Sequence, residues 1–240
     1  MSNISPYNNT IVSLLKINNL CVNYGSKVVL DNFSLNLEKE DITIITGKNG
    51  SGKSTLLNTI GRYVRQYKGE IHSNGQNLFN YNSHDLYKLG IVYVPQGGLI
   101  INQITVDQHF KLATKQFNKK IAVQKTEEIY QEFPTLRHFS KKIAANLSGG
   151  EKQLLSFACA SIMNGNLWLL DEPTAGLYKD RVIQMAEHIK KKNKEDKISF
   201  LIVEHNEIFT KYLDANVIEL VEGKAINIDN STLQKAPIFS

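Results

Sequence analysis

Short apolar runs alternate with segments of helical periodicity along most of this chain. Ile11 to Ile17 and Ser34 to Leu37 read as half-buried strands, and Ile42 to Thr46 is an apolar run ending at Gly47, as a central strand feeding a loop should. Lys53 to Arg62 places Leu56, Leu57 and Ile60 on one helical face. A strand at Gly69–His72, a turn at Asn74-Gly75 and a strand at Ile91–Val94, stopped by Pro95, follow. Amphipathic segments at Thr105–Ala113, with Thr105 as N-cap, and at Ile121–Phe133 predict helices. A helix running to Met163, the strand Leu167–Asp171, a helix over Lys179–Lys192, the strand Ser199–Val203 and a closing strand at Val217–Leu220 complete the pattern. Such alternation predicts an α/β fold with a mainly parallel sheet and its ligand at the strand carboxyl ends. N-terminal antiparallel β segments and an inserted helical subdomain accompany it. We expect one domain over 11–240, with a core of 11–96 and 147–240, a helical insertion of 97–146 and an N-terminal tail of 1–10.

Composition narrows the setting. Nothing approaches the ~18 consecutive apolar residues a bilayer span needs. The opening Met1 to Thr10 has neither a basic start nor an apolar core, so no secretory signal is expected. Cys21 and Cys159 suggest no disulfide framework, and a reducing cytosol is the simplest compartment. The formal net charge is +5, but the densest basic run, Lys190 to Lys194, leads straight into Glu195 and Asp196. It reads as a solvated helix end, and no direct nucleic-acid partner is expected.

The chemistry sits in three runs. Gly47-Lys48-Asn49-Gly50-Ser51-Gly52-Lys53-Ser54 matches a phosphate-binding loop at every required position. Its glycines let the backbone N–H groups around Asn49, Gly50 and Ser51 turn inward on phosphate oxygens, and the next helix adds its positive end. Lys53 reaches the β- and γ-phosphates, while Ser54, beside Thr55, supplies an oxygen to Mg²⁺. Leu167 to Glu172 is an apolar strand delivering two adjacent acids. Strand alternation points them apart, so Asp171 holds Mg²⁺ through water and Glu172 polarises an attacking water. Between these runs, Leu147-Ser148-Gly149-Gly150-Glu151 opens a helix whose first amides form a second anion site.

Taken together, in this order and at this spacing, the three runs resemble the ATP-binding cassette (ABC) ATPases, a superfamily with a P-loop NTPase core. The resemblance covers nearly all of the chain. It implies ATP and Mg²⁺ as ligands, ATP hydrolysis as the activity, and two cassettes holding ATP head-to-tail. Ser148, Gly149 and Gly150 then face the partner's phosphate loop. It also implies roles for single residues. Gln96 matches the glutamine that touches Mg²⁺ or water and senses a transmembrane partner. His205 matches the switch histidine at the γ-phosphate, and Tyr24 the aromatic that stacks on adenine. One departure stands out: Tyr178 occupies a position where many relatives carry an Asp that links the two sites.

The resemblance further implies separate membrane permease subunits, a second cassette that is an identical copy or a paralogue, and a place on the cytoplasmic membrane face. A soluble ABC ATPase of nucleic-acid or translation processes is the rival reading. The stretch between Lys53 and Ser148 is short and has no sustained heptads, which disfavours the coiled-coil types. Phe133-Pro134-x-Leu136, Ala175-Gly176-Leu177 and Val203-Glu204-His205-Asn206 are most similar to ATPases of branched-chain amino-acid importers. The lipopolysaccharide exporter's ATPase shares the His-Asn pair.

Overall fold

The computed structural model describes residues 13–228. The expected tail of 1–10, and Ile11 and Val12 of the first expected strand, lie outside the described residues.

Two sheets carry the fold. One is antiparallel, with β1 (Leu15–Tyr24), β2 (Lys27–Leu37), β4 (Lys68–Ser73) and β5 (Gln76–Asn77) in the order β2-β1-β4-β5. The turn between β4 and β5 is the expected Asn74-Gly75, with both residues at positive φ (48° and 77°). That pair of angles suits a tight hairpin and is cheapest for Asn-Gly. The other sheet runs β10-β9-β3-β8-β7-β6, from β3 (Ile42–Thr46), β6 (Ile91–Val94), β7 (Leu167–Asp171), β8 (Ser199–Val203), β9 (Asn216–Val221) and β10 (Lys224–Ile228). Its five strands from β9 to β6 are parallel neighbours, whereas β10 pairs antiparallel with β9.

The helices are α1 (Lys53–Ile60), α2 (Val106–Ala113), α3 (Lys119–Glu132), α4 (Pro134–His138), α5 (Gly149–Ile162), α6 (Lys179–Asp196) and α7 (Glu207–Leu213). Thr105 caps α2 as expected: its hydroxyl accepts from Gln108 N–H, and its own N–H donates to the Gln108 side chain.

Side chains of the parallel sheet divide by strand alternation. Leu167 and Leu169 of β7 join the core shared with α1 and the antiparallel sheet, while Trp168 and Leu170 join the core shared with α5 and α6. In the second core the fully buried rings of Phe133, Phe157, Trp168 and Phe200 pack edge to face in sequence. Phe110, Ile129 and Leu136 from α2, α3 and α4 belong to the same core, so α5 is buried between those helices and the sheet.

Three expectations need correction. β9 does not close the chain, because β10 follows through a two-residue turn at Glu222-Gly223. The helix expected to end at Lys192 continues to Asp196 and stops at Lys197, which takes a left-handed conformation. The strand expected from Ser34 begins at Lys27, because Lys27, Val28, Leu30 and Phe33 already pair along β1.

Candidate functional site

The strand order explains how the site assembles. β3, β8, β7 and β6 lie side by side and parallel, so their carboxyl ends open on one edge of the sheet. The loop after β3 is the Gly47–Gly52 run, β8 leads to His205, β7 ends in Asp171 and β6 leads to Gln96. Residues distant in sequence therefore meet because neighbouring strands end together.

The loop after β3 relies on its glycines. Gly47, Gly50 and Gly52 all have positive φ (139°, 81° and 107°). A Cβ on Gly47 would come within 2.3 Å of the Leu220 carbonyl oxygen. Gly52 caps α1, leaving the first helix amides to face an anion. Lys53 Nζ donates to the carbonyls of Gly47 (2.9 Å) and Lys48 (3.0 Å), which folds the lysine over the loop. Burial holds its pKa below the ordinary value, against the opposing pull of Glu172 and Asp171. Among the described residues, Ser51 Oγ is buried with no hydrogen-bond partner.

The two acids diverge. Asp171 continues the β7 ladder opposite Val203, and its Oδ1 accepts from Ser54 Oγ at 3.2 Å. Burial pushes the Asp171 carboxyl up to about 6, opposed by the Ser54 hydroxyl and raised further by Glu172. Glu172 then swings away through a left-handed turn (φ 47°) while its N–H still bonds Val203 O at 2.9 Å. Alternation alone was the expected cause of the separation; the backbone turn adds to it. A non-glycine residue in this region carries strain that the surrounding bonds must hold.

Glu172 is the hub of the remaining groups. Gln96 Nε2 donates to its Oε2 at 2.5 Å, His205 Nε2 lies 3.8 Å from its Oε1, and Gln153 Nε2 on α5 donates to its backbone carbonyl at 3.3 Å. A cleft of about 820 Å³ runs past these groups, lined by Asn49, Gly50, Gly52, Lys53, Ser54 and Thr55 together with Gln96, Glu172 and His205. Tyr24, half exposed, forms its outer wall with Lys27 and Val29.

Ser148, Gly149 and Gly150 do not line this cleft. The Ser148 hydroxyl accepts from Glu151 N–H, and Ser148 N–H donates to the Glu151 carboxylate, a capping box at the start of α5. Gly150 packs against the Gly176 carbonyl, where a Cβ would come within 2.5 Å. Two residues on, the Tyr178 side chain is 88% exposed.

Two positioning groups were not foreseen. Glu204 is buried, and its carboxylate accepts from His205 N–H, Asn206 N–H, Thr174 N–H and Thr174 Oγ1. It thereby ties the β8 end to the turn after Glu172. Its only sequence signal is an acid directly after an apolar strand, which is ordinarily a surface position. Gln153 carried no signal beyond lying on the helix opened by Ser148.

A family profile described as ABC transporter matches residues 30–175. The chain belongs to the ABC transporter ATPase family. This ABC cassette is an ATP-binding ATPase. It is 33% identical over 211 residues to a protein of Archaeoglobus fulgidus named probable branched-chain amino acid transport ATP-binding protein LivF, covering 88% of this chain and 89% of the relative. It is 28% identical to the Pseudomonas aeruginosa protein named high-affinity branched-chain amino acid transport ATP-binding protein BraG, covering 86% and 89%. Among solved structures, the ADP conformation of an ATP-binding cassette of an ABC transporter superposes with a TM-score of 0.78 at 25% identity, covering 92% of this ABC cassette and 93% of that chain.

Proposed function

We propose that this chain is the energy-coupling ATPase of a membrane transporter, paired with a second cassette and docked on separate permease subunits at the cytoplasmic membrane face. The observation that carries the reading is the meeting of Lys53, Asp171, Glu172, Gln96 and His205 at one sheet edge, while the Ser148 helix start lies outside that cleft. A second chain's Ser148, Gly149 and Gly150 would complete the site. Residues 97–146 act as an inserted helical subdomain within a core of 11–96 and 147–240, and carry the permease contact together with the Gln96 loop.

Within the cleft, Lys53 and the loop amides hold the β- and γ-phosphates, and Tyr24 offers its ring to the adenine. Glu172 orients and polarises the attacking water, Gln96 fixes the Glu172 carboxylate, and His205 contacts the γ-phosphate. The hydroxyl of Ser54 beside the buried Asp171 carboxylate is a hard oxygen donor set that fits Mg²⁺, with Gln96 as a further oxygen ligand. Such an ion would neutralise charge on the β- and γ-oxygens. The relatives named for branched-chain amino-acid transport support a permease of that type.

Glu172→Gln tests the reading. The variant is expected to lose turnover, keep ATP binding and accumulate as an ATP-held dimer. Pulled with ATP from detergent-solubilised membranes, it is expected to bring a polytopic membrane protein with it. Normal hydrolysis would sink the role of Glu172. A soluble dimer with no membrane partner under any nucleotide condition would sink the transporter assignment.

A further inference from the structure

We propose that His109, on α2, is a positioning residue that anchors the Gln96 loop through a neutral imidazole of fixed tautomer. The proposal rests on the role given to Gln96 above. Gln96 is held upstream by β6, through its pairing with β7. Downstream come Gly97 and Gly98, both at positive φ (74° and 72°), in a turn closed by Gly98 N–H donating to the Pro95 carbonyl at 2.9 Å. Two side chains tie down the strip beyond that turn. Ser156 Oγ on α5 accepts from Leu99 N–H at 3.2 Å, and His109 Nε2 accepts from Ile101 N–H at 3.0 Å.

The His109 side chain is only 4% exposed, and its other nitrogen lies 2.8 Å from the Thr105 carbonyl oxygen. A carbonyl can only accept and an amide N–H can only donate, so both protonation sites are dictated. Nδ1 carries the proton and Nε2 is bare. The ring thus links the start of α2 to the strip that follows Gln96, and Gln96 in turn bonds Glu172. The same strip presents Leu99 and Ile101, 65% and 48% exposed. An anchor between them sets how far movement of that surface reaches Gln96.

Steady-state ATPase kinetics on the purified full chain test this. His109→Leu fills the space but offers no acceptor, and is expected to lower kcat about tenfold, the scale of one buried hydrogen bond, with little change in KM. His109→Gln, whose amide oxygen can accept from Ile101 N–H, is expected to restore most of the rate. In a Gln96→Ala background, His109→Leu should add no further loss, because both changes act through the same group. Impaired Gln96→Ala beside normal His109→Leu, or losses that add, would overturn the proposal and leave the reading of Gln96 intact. Normal turnover in Gln96→Ala would overturn both. A readout independent of any variant is the ¹⁵N spectrum of the wild-type imidazole. The Nδ1–H tautomer supports the anchor, and an Nε2–H tautomer rejects it.

Discussion

Asp171 and Glu172 are adjacent residues with different surroundings. Asp171 is buried against Ser54, and desolvation lifts its carboxyl to about 6 from an ordinary 3.8. Between those two values the folded chain binds more protons than the unfolded chain, so stability falls as pH rises through that window. Above it, the ionised Asp171 is a standing cost in the nucleotide-free protein, about 2 kcal/mol after solvent screening. Asp171→Asn is therefore expected to raise the urea midpoint of the metal-free chain at pH 7, with the gain shrinking as pH is lowered from about 6 toward 4. A gain that does not change with pH would contradict this. The residue types of this site were legible because a phosphate-loop pattern and a strand ending in two acids are written in residue type and spacing. Glu204 and Gln153 were not, since a buried acid after a strand and a glutamine on a helix acquire meaning only from what they touch.

Elements differ in how much of themselves they write into the sequence. The strands β3, β6, β7 and β8 were visible as apolar runs with the observed ends, because a strand covered on both faces needs apolar residues at every position. β10 and the first half of β2 were missed. β10 is an edge strand whose pairing is decided by β9, and early β2 reads as a mixed, half-exposed segment. α7 has seven residues, too few for periodicity to register. α5 was visible from its Ser148 start, but its burial on all sides was not. Phe157 on α5 is fully buried among Phe133, Trp168 and His188. Phe157→Ala is expected to cost about 3–5 kcal/mol of stability. Chemical denaturation measures it, and a loss below about 1 kcal/mol would mean that α5 is not held by this core.

At the scale of the whole molecule, the nucleotide cleft and the Ser148 helix start are two separate surfaces of one chain. That separation sets a test of how the cassettes combine. Ser148→Arg is expected to leave ATP binding by the isolated chain unchanged, because Ser148 does not line its cleft. Turnover should fall at least about a hundredfold, the scale of losing groups that stabilise transferring phosphate. Calorimetric nucleotide titration beside an ATPase assay separates the two quantities. Loss of ATP binding by the monomer would place Ser148 in its own chain's site and refute the head-to-tail arrangement. Tyr178, almost fully exposed, lies two residues beyond Gly176, whose carbonyl packs on Gly150. Among the described residues no helix is long and apolar enough to cross a membrane.

The sequence by itself determined the family and the chemical groups of the site. Glycines that must turn, the lysine that follows them and carboxylates at a strand end are local features, set by residue type and spacing. Only the tertiary structure decided how those groups meet. The order β3-β8-β7-β6 brings four distant strand ends to one edge, and the left-handed turn at Glu172 aims its carboxylate at Gln96 and His205. Strand order and loop anchoring arise from long-range pairing and shared burial, which no local pattern of residues encodes.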